Sequence, residues 1–379
     1  MVSGLLLKPH HHRYILGTLL ILWALMQLAA ADLFSMRTSV DTAFYQEGAD
    51  ALLHFRFPEG RGVMYISYML LLAFIQGIGL NHQVIILIHF AANIVAILCS
   101  YKLAMKLTRN SDVALLAPLC YVLWFKFQQW NLIIYTDALF SHMVVISVFL
   151  LAYAHSKKLR LLLIIVLLFT MFIRPTGMGL LFALCCFGIY KFATYPALTR
   201  AQKLALVTLL AVVFLFVLNS VLYNFVDRFI YGFQIAEVIY PRITLYINPP
   251  ASLHIPDKDL QPVIKLALFL MQNAGFILKI SLLKAALFIG HMKPYYSTLH
   301  NSFIACFLYP IYILAIIGSF KSPWNNTTII IVSFILFQIL TVMITSVNWD
   351  GRLLLPVLPL VFILAAMGLQ RCMPGANHR

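Results

Sequence analysis

Residues 204 to 224 read LALVTLLAVVFLFVLNSVLYN, a run of 21 residues without a charged side chain. A helix that crosses the hydrocarbon core of a bilayer needs about 20 mostly apolar residues. This run therefore predicts a membrane-spanning helix, and similar runs follow one another along most of the chain.

The composition supports the same fold class for the whole chain. Of the 379 residues, 62% are hydrophobic, 14% are aromatic and only 10% are charged, whereas soluble domains carry roughly 25% charged residues. Because a backbone inside lipid must satisfy its own hydrogen bonds, the apolar runs predict helices. We expect an all-α polytopic membrane protein of roughly nine to eleven transmembrane helices. No repeat or separate soluble domain is visible, so residues 1–379 are expected to form one domain.

The net charge of +15 raises the question of a nucleic-acid partner. The 27 lysine and arginine residues, however, are spread singly over short connections between apolar runs, without a basic helix or patch. That is the distribution of the positive-inside rule. The sequence therefore predicts a lipid bilayer as the surrounding medium and no nucleic acid as a partner.

The basic residues Lys8 and Arg13 precede the first apolar run. That run ends in three alanines, which would suit a cleaved signal peptide, but its length and the runs that follow favour an uncleaved first span. With the N-terminus in the cytoplasm, residues 32–62 form a short outer loop. Continuing along the chain, residues 225–262 and 291–302 are the other expected outer loops.

Two parts of the topology stay open from the sequence. Full crossings by both 63–80 and 83–101 would leave a basic connection outside, against the positive-inside rule, so one of the two is expected to be short or re-entrant. The segment 263–290 is apolar but carries lysines at helical spacing, which favours a helix lying partly in the membrane interface. These lysines are Lys265, Lys279 and Lys284.

The first outer loop, DLFSMRTSVDTAFYQEGADALLHFRFPEGRG, holds five of the chain's twelve acidic residues. Within it Asp41, Tyr45 and Ala49 recur every four residues and so share one face of a helix. An acid at a helix N-terminus is favoured by the helix dipole. The pattern predicts a carboxylate presented at the membrane surface by an amphipathic helix.

Further ionisable residues are expected on the outer side, where an interfacial or ion-pair role is the simpler explanation for each one alone. Asp137 lies in the motif YTDALF, just before a span. Arg174 lies in FIRPTG, where Pro175 and Gly177 are expected to separate two short helices. The segment KPYYSTLHN at 293–301 contributes hydrogen-bonding groups that also suit an aromatic belt.

Four of these features together resemble the GT-C superfold of integral membrane glycosyltransferases, which includes the protein O-mannosyltransferases and the lipid A aminoarabinose transferase. They are VDTAFYQEGADALL after the first span, YTDALF, FIRPTG, and the late GRLLLPVLPLVFILAAMGL. The four occur in the family's order and cover most of the chain. Some members carry a soluble outer domain after the last span, whereas about nine residues follow it in this sequence, so we expect the loops and the cavity to recognise the acceptor.

The resemblance implies transfer of a sugar from a polyprenyl-phosphate or diphosphate donor to a lipid-linked or glycan acceptor, on the outer face of a bacterial inner membrane. It implies that Asp41 is the catalytic base. Asp137 would be a second catalytic residue that orients a cation or the acceptor. The expected donor-phosphate ligands are Arg61, Arg174, Lys293, His300 and Arg352, and the expected substrate-binding residues are Tyr45, Tyr295 and Tyr296.

No cofactor is assigned, because two acids from separate loops are too few to predict a metal site. A divalent metal shared by Asp41 and Asp137 remains an alternative. A transporter or flippase is an alternative function. That class favours ionisable residues in the middle of spans, and here the polar residues in mid-span are limited to Gln76, His89 and Asn93. A polysaccharide polymerase or ligase is a third, and a purely structural subunit leaves the clustered acids unexplained.

Overall fold

The structure is a computed structural model that describes residues 9–38, 41–195, 198–322 and 324–373. Lys8 therefore lies outside the described residues. Helices dominate the described part, and two strands of two residues each accompany them. Within it, seven helices are long and apolar enough to cross a membrane, or up to eight if one bent pair counts as a span. The protein is thus an all-α polytopic membrane protein, as predicted.

The span count depends on shorter elements. Two apolar segments, Ser111–Leu123 and Leu358–Cys372, are helical but fall below the length of a full span. The expected range of nine to eleven is reached only if these also cross. Of the two segments left open above, 63–80 is the short one, because its helix covers only Ile66–Gly77 while its neighbour covers Ile85–Thr108.

The residues expected to form one domain divide into two compact units. The first unit comprises Met1–Gly177, Cys306–Thr328 and Leu355–Arg379, and the second comprises Met178–Ala305 and Ile329–Leu354. The chain passes from one unit to the other four times, after Gly177, Ala305, Thr328 and Leu354. Each predicted site residue belongs to one of these two units.

The first unit contains the first nine helices, residues 306–321 of a later helix, and the last helix. The nine are α1 (Pro9–Phe34), α2 (Thr42–Leu53), α3 (Ile66–Gly77), α4 (Ile85–Thr108), α5 (Ser111–Ala114), α6 (Leu116–Leu123), α7 (Phe125–Asn131), α8 (Thr136–Tyr153) and α9 (Lys157–Met171).

The second unit begins with α10 (Met178–Thr194), α11 (Arg200–Leu222), α12 (Val226–Gln234), strand β1 (Ile239–Tyr240), α13 (Pro262–Gln272) and α14 (Ala274–Gly290). The chain continues with α15 (Thr298–Lys321), α16 (Asn326–Ile344), strand β2 (Val347–Asn348) and α17 (Leu358–Cys372). Strands β1 and β2 pair in parallel, with Ile239 opposite Val347 and Tyr240 opposite Asn348.

Helix α17 is the core of the first unit. Every residue from Leu358 to Gly368 is buried, and the helix packs against α4, α5 and α6. A helix that is apolar all round is expected in such an interior position. Helix α11 of the second unit is the opposite case, because only 6% of its most apolar stretch of 18 residues is buried. Its surface suits contact with lipid chains.

The expected outer loops contain helices, among them the helix that was predicted after Asp41. Helix α1 runs on to Phe34, and residues 32–62 then contain all of α2. Residues 225–262 contain α12, and the loop predicted at 291–302 ends where α15 begins at Thr298. The helix break predicted at Pro175 and Gly177 is present, since α9 ends at Met171 and α10 begins at Met178.

The lysine-bearing segment 263–290 differs from the expected interfacial helix. It forms α13 and α14 with a bend of 100° between them. Lys265 and Lys284 are buried at 3% and 0% exposure, and only Lys279 is exposed. The difference arises because distant acceptors meet the two ammonium groups. Lys265 Nζ lies 2.6 Å from Asp227 Oδ1, and Lys284 Nζ donates to the carbonyl of Thr345.

Candidate functional site

Each unit brings together five of the ten predicted site residues. In the first unit they belong to what is called here the Asp41 cluster, which consists of Asp41, Tyr45, Arg61, Tyr135, Asp137 and Arg174. In the second unit they belong to the Lys293 cluster, which consists of Lys293, Tyr295, Tyr296, His300, Trp349, Asp350 and Arg352.

Asp41 occupies the N-cap position of α2, as the sequence predicted for a helix start. Its carboxylate makes no capping hydrogen bond to the helix and instead accepts one from the hydroxyl of Tyr135. Tyr135 is buried at 3% exposure and is the residue before α8. The acid is therefore held by a neutral donor from a segment 94 residues away.

Backbone pairing explains why these two segments meet. The amide of Arg37 donates to Leu132 O at 3.2 Å, and the amide of Ile134 donates back to Arg37 O at 3.2 Å. The hydroxyl of Thr42 donates to Ile134 O at 2.8 Å. These bonds fix the start of α2 against the residues that precede α8.

Tyr45 lies on the buried face of α2 with Ala49, which confirms the helical face read from the sequence. Its ring is 5.4 Å from that of Tyr65, 5.3 Å from that of Tyr68 and 5.5 Å from that of Tyr135. Burial raises the pKa of the Tyr45 phenol well above its ordinary value, and the neighbouring phenols raise it further. Tyr45 therefore stays neutral and packs inside an aromatic cluster, where its contacts are with protein side chains.

Asp137 lies in the first turn of α8, two residues after Tyr135. It is fully buried and forms an ion pair with Arg174, which is 7% exposed. Within the described part of the chain, the second carboxylate oxygen, Oδ2, has no hydrogen-bond partner. A buried ion pair is costly to break, because removing one partner leaves an uncompensated charge.

Arg174 reaches Asp137 through a tight turn. The amide of Gly177 donates to Arg174 O at 2.8 Å, and a Cβ on Gly177 would lie 2.4 Å from Met171 O. Glycine is required there because no side chain fits that close approach. The remaining predicted residue of this unit, Arg61, is exposed and stacks 4.4 Å above the ring of Phe44.

In the second unit Lys293 follows α14 and is 1% exposed. Its ammonium donates to Leu287 O at 3.1 Å, and its backbone is held by Asn301, which accepts from Lys293 N at 3.2 Å and donates to Lys293 O at 3.0 Å. Burial lowers the pKa of the Lys293 ammonium to about 8, and the negative charge of Asp350 opposes that shift. Lys293 is therefore a cation at neutral pH.

The two tyrosines of KPYYSTLHN contact one peptide group. The hydroxyls of Tyr295 and Tyr296 donate to the carbonyl of Trp349, at 2.7 Å and 3.2 Å. The ring of Tyr296 stacks on His300 with centroids 4.2 Å apart. Burial and the charge of Asp350 raise the pKa of Tyr295 to about 12. Both phenols therefore donate to the protein backbone and fix the turn that carries Arg352.

Sequence reasoning named His89 and Asn93 as mid-span polar residues but missed the buried polar network that they form with other residues inside the first unit. His142 Nε2 bonds Asn131 Oδ1 at 2.7 Å, Tyr121 OH bonds His142 Nδ1 at 2.7 Å, and Asn131 Nδ2 donates to Asn93 Oδ1 at 3.2 Å. His89 Nδ1 lies 3.1 Å from Asn131 O. The available signal in the sequence was the position of His142 within the apolar run that forms α8.

A second missed feature is a buried acid in the second unit. Glu237 is 8% exposed and accepts hydrogen bonds from the hydroxyl of Ser346 at 2.6 Å and the amide of Arg242 at 2.7 Å. The position of Glu237 in a Tyr- and Pro-rich loop gave no sign that its side chain is buried.

In the same unit the ammonium of Lys284 lies 4.1 Å above the ring of Phe233.

No group of three His, Cys, Asp or Glu side chains that could hold a metal occurs among the residues the structure describes. The alternative of a metal shared by Asp41 and Asp137 thus lacks a third ligand of these types there. Comparison of the chain with protein-family models, curated proteins and solved structures yields no match.

Proposed function

We propose that the protein is a membrane glycosyltransferase that moves a sugar from a polyprenyl-phosphate or diphosphate donor to a lipid-linked or glycan acceptor. The reaction would take place on the outer face of a bacterial inner membrane. The observation that carries the proposal is the carboxylate of Asp41, fixed at a helix start by the hydroxyl of Tyr135. The resemblance to the GT-C superfold described above supplies the reaction class.

In the proposed reaction Asp41 is the general base. An acceptor oxygen attacks the anomeric carbon, the bond from that carbon to the phosphate oxygen breaks, and the acceptor proton passes to Asp41. Tyr135 donates to Oδ2, and within the described residues Asp41 Oδ1 has no hydrogen-bond partner. That oxygen is the one proposed to receive the proton. The polyprenyl phosphate leaves as an anion.

Cations are needed to stabilise the charge of the leaving phosphate. Arg61 of the Asp41 cluster is proposed for this role, because its guanidinium is exposed and charge-assisted bonds to phosphate are short and strong. Arg174 is paired with Asp137, so these two residues are proposed to act together as one fixed polar group.

The test is sugar transfer by purified protein in liposomes with labelled donor lipid. Asp41→Asn keeps the size and the polarity of the side chain but removes the base, so transfer is expected to fall about a hundredfold or more. The matched control is Asp50→Asn, an exposed acid on the same helix, which is expected to leave transfer unchanged. A folded Asp41→Asn protein that transfers sugar at the wild-type rate would refute the assignment.

A second candidate is transport of a lipid-linked sugar, favoured by the buried network of His89, Asn131 and His142. Polar networks within membrane helices are typical of transport pathways. The same liposomes separate the two functions, since a transporter moves labelled lipid between leaflets without forming a new glycosidic bond. A polysaccharide polymerase or ligase differs in its acceptor, which the assay reports as a product of increased length.

A further inference from the structure

A tight turn in the second unit presents one aromatic side chain. The amide of Gly351 donates to Asn348 O at 3.2 Å, which closes the turn over Trp349 and Asp350. Gly351 has a φ of +73°, and a Cβ there would lie 1.9 Å from His291 Cε1. Only glycine satisfies both the backbone conformation and the close contact.

The backbone of Trp349 is braced on two sides. Its carbonyl accepts both phenolic hydrogen bonds, from Tyr295 and Tyr296. The preceding residue, Asn348, belongs to β2 and pairs with Tyr240 of β1. Such bracing lowers the entropy that a binding partner would otherwise have to offset when the turn is ordered.

The side chain of Trp349 nevertheless points away from the protein interior. It is 53% exposed, and within the described residues its indole N–H makes no hydrogen bond. Tyr295, which braces it, is itself 46% exposed. A rigid backbone thus carries an exposed aromatic surface with an available donor.

Two charged residues, Asp350 and Arg352, follow Trp349 closely in the chain. Asp350 is the next residue, and its carboxylate accepts from the amide of Arg352 at 3.2 Å. The same carboxylate acts electrostatically on Lys293 and Tyr296. An aromatic face with a few convergent polar groups is the usual composition of a small-molecule site.

We propose that Trp349 is a platform within the second unit on which the sugar ring of a polyprenyl-phosphate sugar lies, an inference that rests on the proposed function for its class of ligand. The C–H groups on one face of a pyranose or furanose are apolar, and they complement the negative face of an indole ring. The indole N–H and the Asp350 carboxylate provide hydrogen bonds for sugar hydroxyls. Arg352 provides the positive charge for the phosphate to which the sugar is attached.

Anchoring in the membrane interface is the competing explanation for an exposed tryptophan. The chain contains a natural comparison in Trp324, which is 49% exposed. Its indole N–H donates to Ser319 O at 2.9 Å. The two side chains are equally exposed, but only Trp349 belongs to a turn braced by two phenols next to the Lys293 cluster.

The experiment measures equilibrium binding of polyprenyl lipids to purified full-length protein in detergent micelles. The probes are undecaprenyl phosphate alone and undecaprenyl phosphate carrying glucose, mannose or arabinose. The proteins are wild type, Trp349→Ala, Trp349→Phe and the control Trp324→Ala. Binding of the lipid without sugar also reports whether each variant is folded.

Wild type is expected to prefer at least one glycosylated lipid to the lipid without sugar. Trp349→Ala is expected to reduce that preference about tenfold, which is about 1.4 kcal/mol, while leaving affinity for undecaprenyl phosphate unchanged. A loss of that size is within the range of a single aromatic contact. Trp349→Phe should retain part of the preference, and Trp324→Ala should retain all of it.

Three results would overturn the platform: no preference in wild type, full preference in Trp349→Ala, or an equal loss of affinity for all four lipids, which indicates a membrane anchor. Failure of the proposed function has a different signature. A protein that prefers a glycosylated lipid through Trp349 but transfers no sugar in liposomes would refute the transferase and leave the platform in place.

Discussion

The hydroxyl of Tyr135 donates a hydrogen bond to the carboxylate of Asp41, across 94 residues of sequence. A neutral donor stabilises the ionised form of a carboxyl group and fixes its orientation. Tyr135→Phe removes that donor while keeping the ring that packs against Tyr45 and Trp130. We expect sugar transfer to fall about tenfold, because the carboxylate loses the bond that fixes its orientation.

The measurement is the rate of transfer in liposomes for wild type and Tyr135→Phe. Tyr246→Phe serves as control, because Tyr246 is 79% exposed and makes no side-chain hydrogen bond among the described residues. Equal rates of transfer in all three proteins would show that Tyr135 does not act on Asp41.

The buried pair of Asp137 and Arg174 predicts strong coupling in stability. Either Asp137→Asn or Arg174→Gln leaves one charge without compensation, so each should destabilise the protein by about 3 kcal/mol. The double variant should lose much less than the two effects added. Unfolding in detergent, followed as a double-mutant cycle, measures the coupling. Strict additivity would mean that the pair is not formed in the folded protein.

The lowered pKa of Lys293 predicts a gain of stability at alkaline pH. The folded protein releases the proton near pH 8, whereas an unfolded lysine holds it to about pH 10.4. Between these values the unfolded chain binds more protons, so the free energy of unfolding rises with pH in that window. Below about pH 8 Lys293 is charged in both the folded and the unfolded protein, so the folded state bears the full cost of burying the ammonium.

Lys293→Met isolates this effect, because the variant has no ammonium to bury. Thermal unfolding of wild type and variant at pH 7.5 and pH 9.5 should show wild type gaining stability relative to Lys293→Met at the higher pH. A difference that stays constant between the two pH values would contradict the burial of a charged Lys293.

Helices α15 and α17 touch backbone to backbone within the first unit. A Cβ on Gly318 would lie 2.1 Å from Leu364 O, and one on Gly368 would lie 1.8 Å from Leu314 O. Small residues allow this close approach between membrane helices. Gly368→Ala is expected to cost about 3 kcal/mol or more, because backbone must move to make room.

The control for this substitution is Gly17→Ala in α1, where nothing lies within 4 Å of the added Cβ. Alanine there should be neutral or stabilise the helix by about 1 kcal/mol. The melting temperatures of the two purified variants in the same detergent test the crossing. Equal melting temperatures would rule it out.

The fold class and several local features were predictable from the sequence. Apolar runs longer than a bilayer is thick specify helices without reference to tertiary contacts, and the face shared by Tyr45 and Ala49 is a property of α2 alone. The break at Pro175 and Gly177 is equally local. These features depend on composition and helical periodicity, and both can be read from a single segment of the sequence.

The remaining features depend on distant partners. Lys284 is compatible with an interfacial position until the carbonyl of Thr345 is placed beside it, and Tyr135 has no assigned role until Asp41 meets it. Substrate contact by Tyr295 and Tyr296 stays a prediction, and nothing in their own segment indicates that their hydroxyls donate to Trp349 O. No periodicity within one segment specifies which other segment supplies a hydrogen-bond acceptor.

The pairing of β1 with β2 has a practical use. It divides the connection between α12 and α13, so that Asp257, Lys258 and Asp259 lie in an exposed turn beyond the paired residues. A protease site inserted at that turn would cut the chain while the two strands keep the fragments together. Digestion of sealed vesicles would then report directly which side of the membrane this part of the protein faces.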